Sequence, residues 1–332
     1  MKKIVLSGIK PTGIPTLGNY LGALKNFVKL QNEMKDYEFF IFIADLHAIT
    51  VPQDPKELKQ NIKNLAAIYL AAGLVPERTT LFVQSEINEH AALGFVMQSI
   101  SYMGELERMT QYKDKMQKQV QGVSSALFTY PSLMAADILL YDAEYVPVGD
   151  DQKQHLELTR DLAIRFNNRF GETFVVPEGL ISEKGARIMD LQDPSKKMDK
   201  SSEGERGCVF LLDPLSTIKK KIKSAVTDSE AQVRYDKDNK PGISNLMTIY
   251  SLISELSYEE IEEKYTSRGY GDFKKDLAEL VAGEIEVVQN RYREIINSGK
   301  LDALFDQGKE KAKVLAAKKL HKVYKKIGLG RY

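Results

Sequence analysis

Residues suited to holding phosphate groups stand directly after the first apolar run of the chain, in residues 7–23. Glycines such as Gly18 permit tight turns and the close approach of a ligand. Backbone N–H groups at the start of the following helix suit an anion, and Thr16 and Asn19 add side-chain donors. The segment fits the phosphates of a nucleotide, although a loop packed only for structure would carry the same glycines.

A second polar segment, residues 196–202, brings Lys196, Lys197 and Lys200 together with two serine hydroxyls. Lysines on flexible stems suit a polyphosphate, because each supplies a mobile point charge. An exposed charged loop is the commoner explanation of a lysine cluster taken alone. The segment therefore supports phosphate binding only in combination with the first one.

A third segment, residues 148–155, ends an apolar run and begins a predicted helix. Gly149 permits close approach of a ligand, and a carboxylate from Asp150 or Asp151 at this position commonly binds ribose hydroxyls. Gln152 offers both a donor and an acceptor. Capping of the helix by either aspartate is the alternative, and the two roles are compatible.

The first half of the chain predicts the scaffold that brings these segments to one edge. A helix is predicted between Asp54, which can cap it, and Gly73, with Pro55 at its first position. Strands that alternate with helices indicate an α/β domain with a Rossmann-like, doubly wound parallel sheet, which binds ligands at the carboxyl ends of its strands. Short apolar runs predict the strands at 4–6, 39–44, 80–83 and 145–148.

After about residue 213 the strand signals fade and helical patterns take over. We therefore predict two domains, an α/β domain over residues 1–206 and an all-helical domain over residues 207–332. The helical patterns of the second domain cover residues 216–226, 243–256, 258–265, 272–298 and 301–327.

The charge balance hides a local concentration of positive charge. The 332 residues contain 47 Lys and Arg against 46 Asp and Glu, for a formal net charge of +1. Such a balance argues against a uniformly basic nucleic-acid binder. However, residues 309–332 carry +8 and the preceding residues −7. A solvated helix face is the plain interpretation of this run, and a surface for phosphates is the functional one.

The composition also bears on the compartment. The hydrophobic fraction is 43% and the charged fraction 28%, which is typical of globular proteins. Cys208 is the single cysteine and tryptophan is absent. One cysteine cannot form an intramolecular disulfide, and no window approaches the ~18 apolar residues of a membrane span. We therefore expect a cytoplasmic protein, since the N-terminal apolar run is too short for a signal peptide.

Together the three segments closely resemble those of bacterial tryptophanyl-tRNA synthetases, a family of class I aminoacyl-tRNA synthetases. Residues 11–19 are similar to the family's form of the first class I signature, with Thr16 and Asn19 where the general class has two histidines. Residues 197–201 resemble the second signature. The resemblance extends to residues 328–330 and includes the segments 43–50, 104–111, 130–139 and 149–160.

The resemblance implies a two-step reaction. The carboxylate of tryptophan attacks the α-phosphate of ATP, which enters as its Mg²⁺ complex, to give tryptophanyl-adenylate and pyrophosphate. The acyl group then passes to the 3′-terminal adenosine of the tryptophan tRNA. Neither step needs a protein nucleophile or a metal ligated by the protein, so catalysis is expected to be positioning and charge stabilisation. The family is homodimeric, and its helical domain reads the anticodon.

The resemblance also assigns roles to residues of this sequence. The catalytic set is expected to be Thr16, Asn19, Lys115, Lys197 and Lys200. ATP is expected to contact Lys10, Pro11, Thr12, Gly18, Asn19, Gly149, Asp150, Asp151, Lys197, Met198, Asp199, Lys200 and Ser201. Tryptophan is expected to contact His47, Tyr130, Met134, Asp137 and Gln152.

Asp137 is the expected partner of the indole N–H. Indole is a donor only, so a carboxylate suits it, and a phenylalanine substrate would leave the carboxylate unpaired. Met134 shares a helix face with Asp137, and simple core packing explains it equally well. His47 alone is more often structural than catalytic.

Two positions depart from the usual family pattern. Lys10 stands where many members have glutamine, and its charge would bind phosphate or pair with a carboxylate. Asp199 replaces a serine of the second signature, between Lys197 and Lys200. We expect Asp199 to weaken the contact with pyrophosphate or to pair with a lysine.

Three other functions remain to be separated from this one. A tyrosine-specific synthetase would share the chemistry, but the residues at Thr16 and Asn19 argue against it. A small-molecule adenylyltransferase would usually lack the helical domain. A paralogue that had become a regulator would not need Asp137, Gln152, Lys197 and Lys200 to be retained.

Overall fold

The computed structural model describes residues 3–117, 122–149, 152–181, 187–199 and 206–331. Its centre is a parallel sheet of five strands in the order β3-β2-β1-β4-β5, in which every neighbouring pair is parallel. The strands are β1 Lys3–Ile9, β2 Tyr37–Ile43, β3 Thr79–Val83, β4 Tyr145–Val148 and β5 Glu178–Ile181.

The four strands predicted from apolar runs are confirmed, and β5 is a strand that the pattern did not predict. β5 has four residues, includes Gly179 and follows Pro177. Glycine and proline are depleted in strands, so this edge strand has little apolar signal of its own. Its pairing with β4 defines it instead.

Helices cover both faces of the sheet, and the predicted α/β class with a Rossmann-like sheet is confirmed. Asp54 caps α4, since its carboxylate accepts hydrogen bonds from the N–H groups of Lys56 and Glu57. The helices of the α/β region are α1 Leu17–Asn19, α2 Lys25–Glu33, α3 Asp45–Ala48, α4 Pro55–Ala71, α5 Glu89–Ile100, α6 Met103–Glu107, α7 Thr110–Gln117, α8 Ser125–Leu139 and α9 Lys153–Phe170. A π-helical segment, Tyr20–Leu24, joins α1 to α2.

The helical character of the second half is also confirmed. Its helices are α10 Leu215–Lys223, α11 Pro241–Ser254, α12 Tyr258–Lys264, α13 Tyr270–Asn297 and α14 Lys300–Ile327. Among the described residues, no helix is long and apolar enough to cross a membrane.

The last helix returns to the sheet and packs beside β3. Ala312, Ala316 and Val323 of α14 are fully buried in the same core as residues of β1, β2 and β3. The chain therefore covers its β3 edge with a helix, which protects the edge from pairing with other strands. The boundary at residues 206 and 207 stays a prediction.

Part of the basic charge on α14 serves this packing. Lys319 is buried, and its ammonium group donates to Asp142 at 2.5 Å and to the carbonyl of Thr173 at 2.8 Å. Lys311 forms an ion pair with Glu38 of β2. These two lysines anchor the helix to the sheet, whereas Lys318, Lys322 and Lys325 are exposed and share one face.

We expect replacement of Gly308 by alanine to destabilise the protein by about 2 kcal/mol, because the added methyl group overpacks the contact. A Cβ atom at this position would overlap the backbone of Leu81 in β3. Gly283→Ala in α13 is the matched control, since a Cβ there meets no atom within 4 Å. The control should be neutral or stabilising by up to about 1 kcal/mol. Denaturant titration measures both, and equal effects would show that α14 does not depend on this close approach.

Candidate active site

A cleft of about 380 Å³ opens at the carboxyl ends of β1 and β4. The chain runs from β1 to β2 and β3 on one side and to β4 and β5 on the other, so the strand order reverses here. Open α/β sheets bind ligands at such a switch point. Six of the predicted site residues line the cleft together, namely Lys10, Thr12, Asn19, Lys197, Met198 and Asp199.

The lysine segment reaches the cleft through a short antiparallel bridge between Lys197 and Met189. The N–H group of Met198 donates to the carbonyl of Ile188 at 3.0 Å, and the Met198 side chain is buried. A Cβ on Gly18 would lie in ordinary contact with Ile188 and Met198, at 3.5 and 3.6 Å. The first and second signature segments therefore pack directly against each other.

Neighbouring lysines in this segment have different surroundings. The Lys196 ammonium group lies 3.0 Å from Asp193 Oδ2, in an ion pair that accounts for its charge. Lys197 is exposed and lines the cleft. Only Lys197 of these two is therefore placed to meet phosphate in the cleft.

Thr16 and Asn19 form a reciprocal helix cap. The Thr16 hydroxyl donates to Asn19 Oδ1 at 3.1 Å and accepts from the Asn19 N–H at 3.2 Å, while the Thr16 N–H donates to Asn19 Oδ1 at 3.0 Å. Thr16 is fully buried, whereas Asn19 lines the cleft. Thr16 thus orients Asn19, and the side-chain amide nitrogen of Asn19 is the donor left for a ligand.

Other predicted residues of the nucleotide site lie beside the cleft or outside the described residues. Pro11 is buried, and the exposed Gly149 directly follows β4 and accepts the Gln152 N–H at 3.0 Å. Gly13 has a φ angle of 97°, in the left-handed region that favours glycine. Asp150, Asp151, Lys200 and Ser201, together with the side chain of Lys115, lie outside the part of the chain that the structure describes.

Asp137 is the centre of a buried polar network between α3, α5 and α8. Its Oδ2 atom lies 2.7 Å from His47 Nε2, and its Oδ1 atom lies 2.6 Å from His90 Nδ1. Gln84, directly after β3, donates to Oδ1 at 2.7 Å. Asp137 is only 1% exposed, so these contacts replace the water that an exposed carboxylate would have.

The network keeps this carboxyl group ionised. Burial by itself raises the pKa of Asp137. His47 and His90 outweigh burial through their charge and their hydrogen bonds, and they hold the pKa below its ordinary value. A carboxylate in this state accepts hydrogen bonds only. The site is therefore suited to a buried donor such as an aromatic N–H group.

Tyr130 connects this network with the cleft, since its ring lies edge-on to that of His47 with the ring centres 6.1 Å apart. Its hydroxyl lies 2.7 Å from His155 Nε2, and His155 Nδ1 lies 3.1 Å from Gln152 Oε1. The Lys10 ammonium group lies 5.4 Å from the centre of the Tyr130 ring, within the range of a cation–π contact. Lys10 also lines the cleft, so a single side chain adjoins both groups of predicted residues.

Three of the residues expected to contact tryptophan lie on one helix, and the structure adds residues that the sequence did not indicate. Tyr130, Met134 and Asp137 all lie on α8, and the half-buried Met134 packs against the core around the sheet. Gln84 and His90 were missed. Gln84 follows a predicted strand, which is a usable signal, whereas His90 reaches Asp137 only through the packing of α5 on α8.

Comparison with known proteins identifies the class. A family profile described as tRNA synthetases class I (W and Y) matches residues 2–284. The chain belongs to this family of class I tRNA synthetases.

Several relatives within the family are named for tryptophan. Proteins named tryptophan--tRNA ligase from Oceanobacillus iheyensis and Bacillus subtilis are 58% identical over 329 residues and 56% identical over 331 residues, covering 99% and 100% of this chain and 99% of each relative. The solved tryptophanyl-tRNA synthetase of Mycoplasma pneumoniae is 38% identical with a TM-score of 0.91, and covers 99% of both chains. That of Campylobacter jejuni, solved with ADP and tryptophan, is 37% identical with a TM-score of 0.83, covering 98% of this chain and 100% of its own.

Proposed function

We infer that this chain is a cytoplasmic tryptophan--tRNA ligase. The observation that carries the inference is the buried, ionised carboxylate of Asp137 close to a cleft suited to phosphates. Relatives of that name align with this chain over nearly its whole length, and the Campylobacter jejuni structure contains ADP and tryptophan.

In the first step, a carboxylate oxygen of tryptophan forms a bond to the α-phosphorus of ATP, and the bond to pyrophosphate breaks. Asp137 accepts the indole N–H, while Tyr130 and Gln152 hold the ammonium group. Lys197, with Lys200 and Lys115, neutralises the charge that develops on the pyrophosphate, which is how phosphoryl-transfer sites lower their barriers. ATP enters as its Mg²⁺ complex.

In the second step, a hydroxyl of the 3′-terminal adenosine of the tryptophan tRNA attacks the acyl carbon and gives its proton to an oxygen of the departing phosphate, while AMP leaves with the electrons of the acyl–phosphate bond. The protein supplies orientation, because both reactants are already held in the cleft. Asn19, positioned by its cap with Thr16, contacts the phosphates in both steps.

Aminoacylation tests this function directly. The purified protein is incubated with labelled tryptophan, Mg²⁺-ATP and unfractionated tRNA, and acid-precipitable label is counted. We expect label on the tRNA, and none on periodate-oxidised tRNA, whose terminal diol is destroyed. Because the chain contains no tryptophan, indole fluorescence also reports binding of the substrate without a protein background. Failure to charge tRNA under these conditions would contradict the proposal.

The exposed face of α14 is proposed as a contact for the tRNA backbone. Lys318, Lys322 and Lys325 are exposed and follow helical spacing. A row of lysines with mobile side chains binds phosphates without reading bases. This contact would supply affinity, while the helical region as a whole reads the anticodon.

We expect the triple substitution K318E, K322E and K325E to raise the KM for tRNA at least about tenfold and to weaken its salt dependence, because three phosphate contacts are lost. Tryptophan-dependent pyrophosphate exchange, which needs no tRNA, should be unchanged. A triple substitution with the same change in charge serves as the control, at exposed lysines in α2, just after α2 and in α4, namely K29E, K35E and K59E. Equal effects of the two triples on the KM would show that net charge alone, and not this face, matters.

A homodimer is the proposed assembly. Phe95 of α5, Tyr102 and Met103 at the start of α6 are 72%, 62% and 65% exposed. Large apolar side chains exposed close together along the chain mark an interaction surface. A second copy of the chain is the partner that the resemblance to a homodimeric family implies.

We expect Phe95→Asp to convert the dimer into monomers, since a charge buried in an apolar interface is left without a partner. Val314→Asp, at a position on α14 that is 67% exposed, should leave the assembly unchanged. Sedimentation velocity measures both. A dimeric Phe95→Asp protein would place the interface elsewhere.

A further inference from the structure

His90 belongs to the site through its contact with Asp137, but it has no role in the two-step reaction. It is completely buried on α5, with Nδ1 at 2.6 Å from Asp137 Oδ1 and Nε2 at 2.7 Å from the Tyr141 hydroxyl. It therefore lies between a carboxylate and a phenol, both also buried.

The two neighbours determine where the protons of His90 lie. An ionised carboxylate cannot donate, so Nδ1 of His90 carries the hydrogen of the bond to Asp137. When the ring is neutral, Nε2 accepts and the Tyr141 hydroxyl donates to it, whereas in the protonated ring both nitrogens donate. Burial, and after it the charge of Asp137, raise the pKa of Tyr141, which keeps that donor protonated.

This arrangement distinguishes the two oxygens of Asp137. Oδ1 accepts from both Gln84 and His90, whereas Oδ2 accepts from His47. Each carboxylate oxygen takes about two hydrogen bonds. Oδ1 is thus saturated by protein donors, and Oδ2 is the oxygen with capacity for one more.

We propose that His90 is a positioning residue for substrate specificity, which saturates Oδ1 of Asp137 so that Oδ2 is presented to the indole N–H. This inference rests on the proposed function. Tyr141 contributes by fixing the His90 tautomer, in the way that outer partners orient the ligands of metal sites. Without His90, the carboxylate has a second oxygen open to hydrogen bonding and is free to rotate away from the substrate.

The test compares tryptophan with its benzothiophene analogue, β-(benzothiophen-3-yl)alanine, in which sulfur replaces the N–H group. Pyrophosphate exchange is measured for the unmodified enzyme and for His90→Leu, His90→Asn and Tyr141→Phe. In His90→Leu the KM for tryptophan should rise about tenfold or more with little change in kcat, and the preference for tryptophan over the analogue should fall by a similar factor. The KM for ATP should not change.

The other variants separate positioning from simple packing. The substitution His90→Asn retains a donor where Nδ1 lies and should recover most of the preference for tryptophan. In Tyr141→Phe the preference for tryptophan over the analogue should fall about threefold. The loss is smaller because the hydrogen bond from His90 to Asp137 remains, although the His90 tautomer is less strongly fixed. An unchanged preference in His90→Leu would overturn the inference, as would equal losses for both substrates or no recovery in His90→Asn. Absence of tryptophan-dependent exchange in the unmodified enzyme would instead overturn the proposed function, and this inference with it.

Discussion

Replacing Asp137 by asparagine should lower kcat/KM for tryptophan about a hundredfold in pyrophosphate exchange. Asparagine has nearly the same shape, but its amide group places a donor among the donors of His47, His90 and the indole ring. A buried donor without an acceptor costs about 1–3 kcal/mol, and more when a charge is lost with it. Each ~1.4 kcal/mol corresponds to a factor of ten in rate.

Asp45→Asn is the matched control for this experiment. Asp45 is also buried at the carboxyl edge of the sheet, where it accepts the N–H groups of Leu46 and Ser85 at 3.0 and 2.9 Å. Its loss should reduce thermal stability without changing the preference for tryptophan over its benzothiophene analogue. If Asp137→Asn alters tryptophan kinetics no more than the control does, Asp137 does not recognise the indole N–H.

Replacing Lys197 by alanine should slow formation of the adenylate by about 10²- to 10³-fold, the usual effect of removing one group that stabilises charge in a transition state. Lys197 is exposed in the cleft. The loss should fall mainly on kcat, because the charge on the leaving pyrophosphate develops as the bond breaks. Single-turnover measurements of adenylate formation separate this step from product release.

Lys196→Ala is the control, since it removes the same charge one residue away. Lys196 is paired with Asp193 at 3.0 Å, and an exposed ion pair of this kind contributes little to stability. We expect less than about a threefold effect on the rate. Similar losses in the two variants would indicate that the loop supplies only a general positive field.

Local pattern and local chemistry were enough to predict much of the scaffold. The continuous apolar run in β2 could only be a buried strand or a buried helix, and its short length favoured a strand. Once the strands were parallel, the segments after β1 and β4 had to lie at one edge. The side of the cleft that Lys10 and Asn19 line follows from that topology, whereas Lys197 reaches the cleft through its bridge to Met189.

The details that the sequence left open depend on tertiary contacts. Thr16 and Asn19 could each cap the helix or contact phosphate, and the sequence is the same in both cases. Only the orientation of Asn19 in the structure shows that Thr16 caps the helix. Lys319 belongs to a basic run, yet Asp142 and Thr173, far away in the chain, make it a buried anchor. His90 joins the site because α5 packs on α8, a contact between helices that no motif encodes.

We expect this chain to activate tryptophan and no other amino acid, and pyrophosphate–ATP exchange measures that step alone. Each of the twenty amino acids is supplied in turn to the unmodified enzyme with Mg²⁺-ATP and labelled pyrophosphate. We predict exchange with tryptophan, with tyrosine and phenylalanine slower by at least about a thousandfold. Preferential exchange with tyrosine would contradict the specificity assigned to Asp137, and no exchange with any amino acid would contradict the enzyme activity itself.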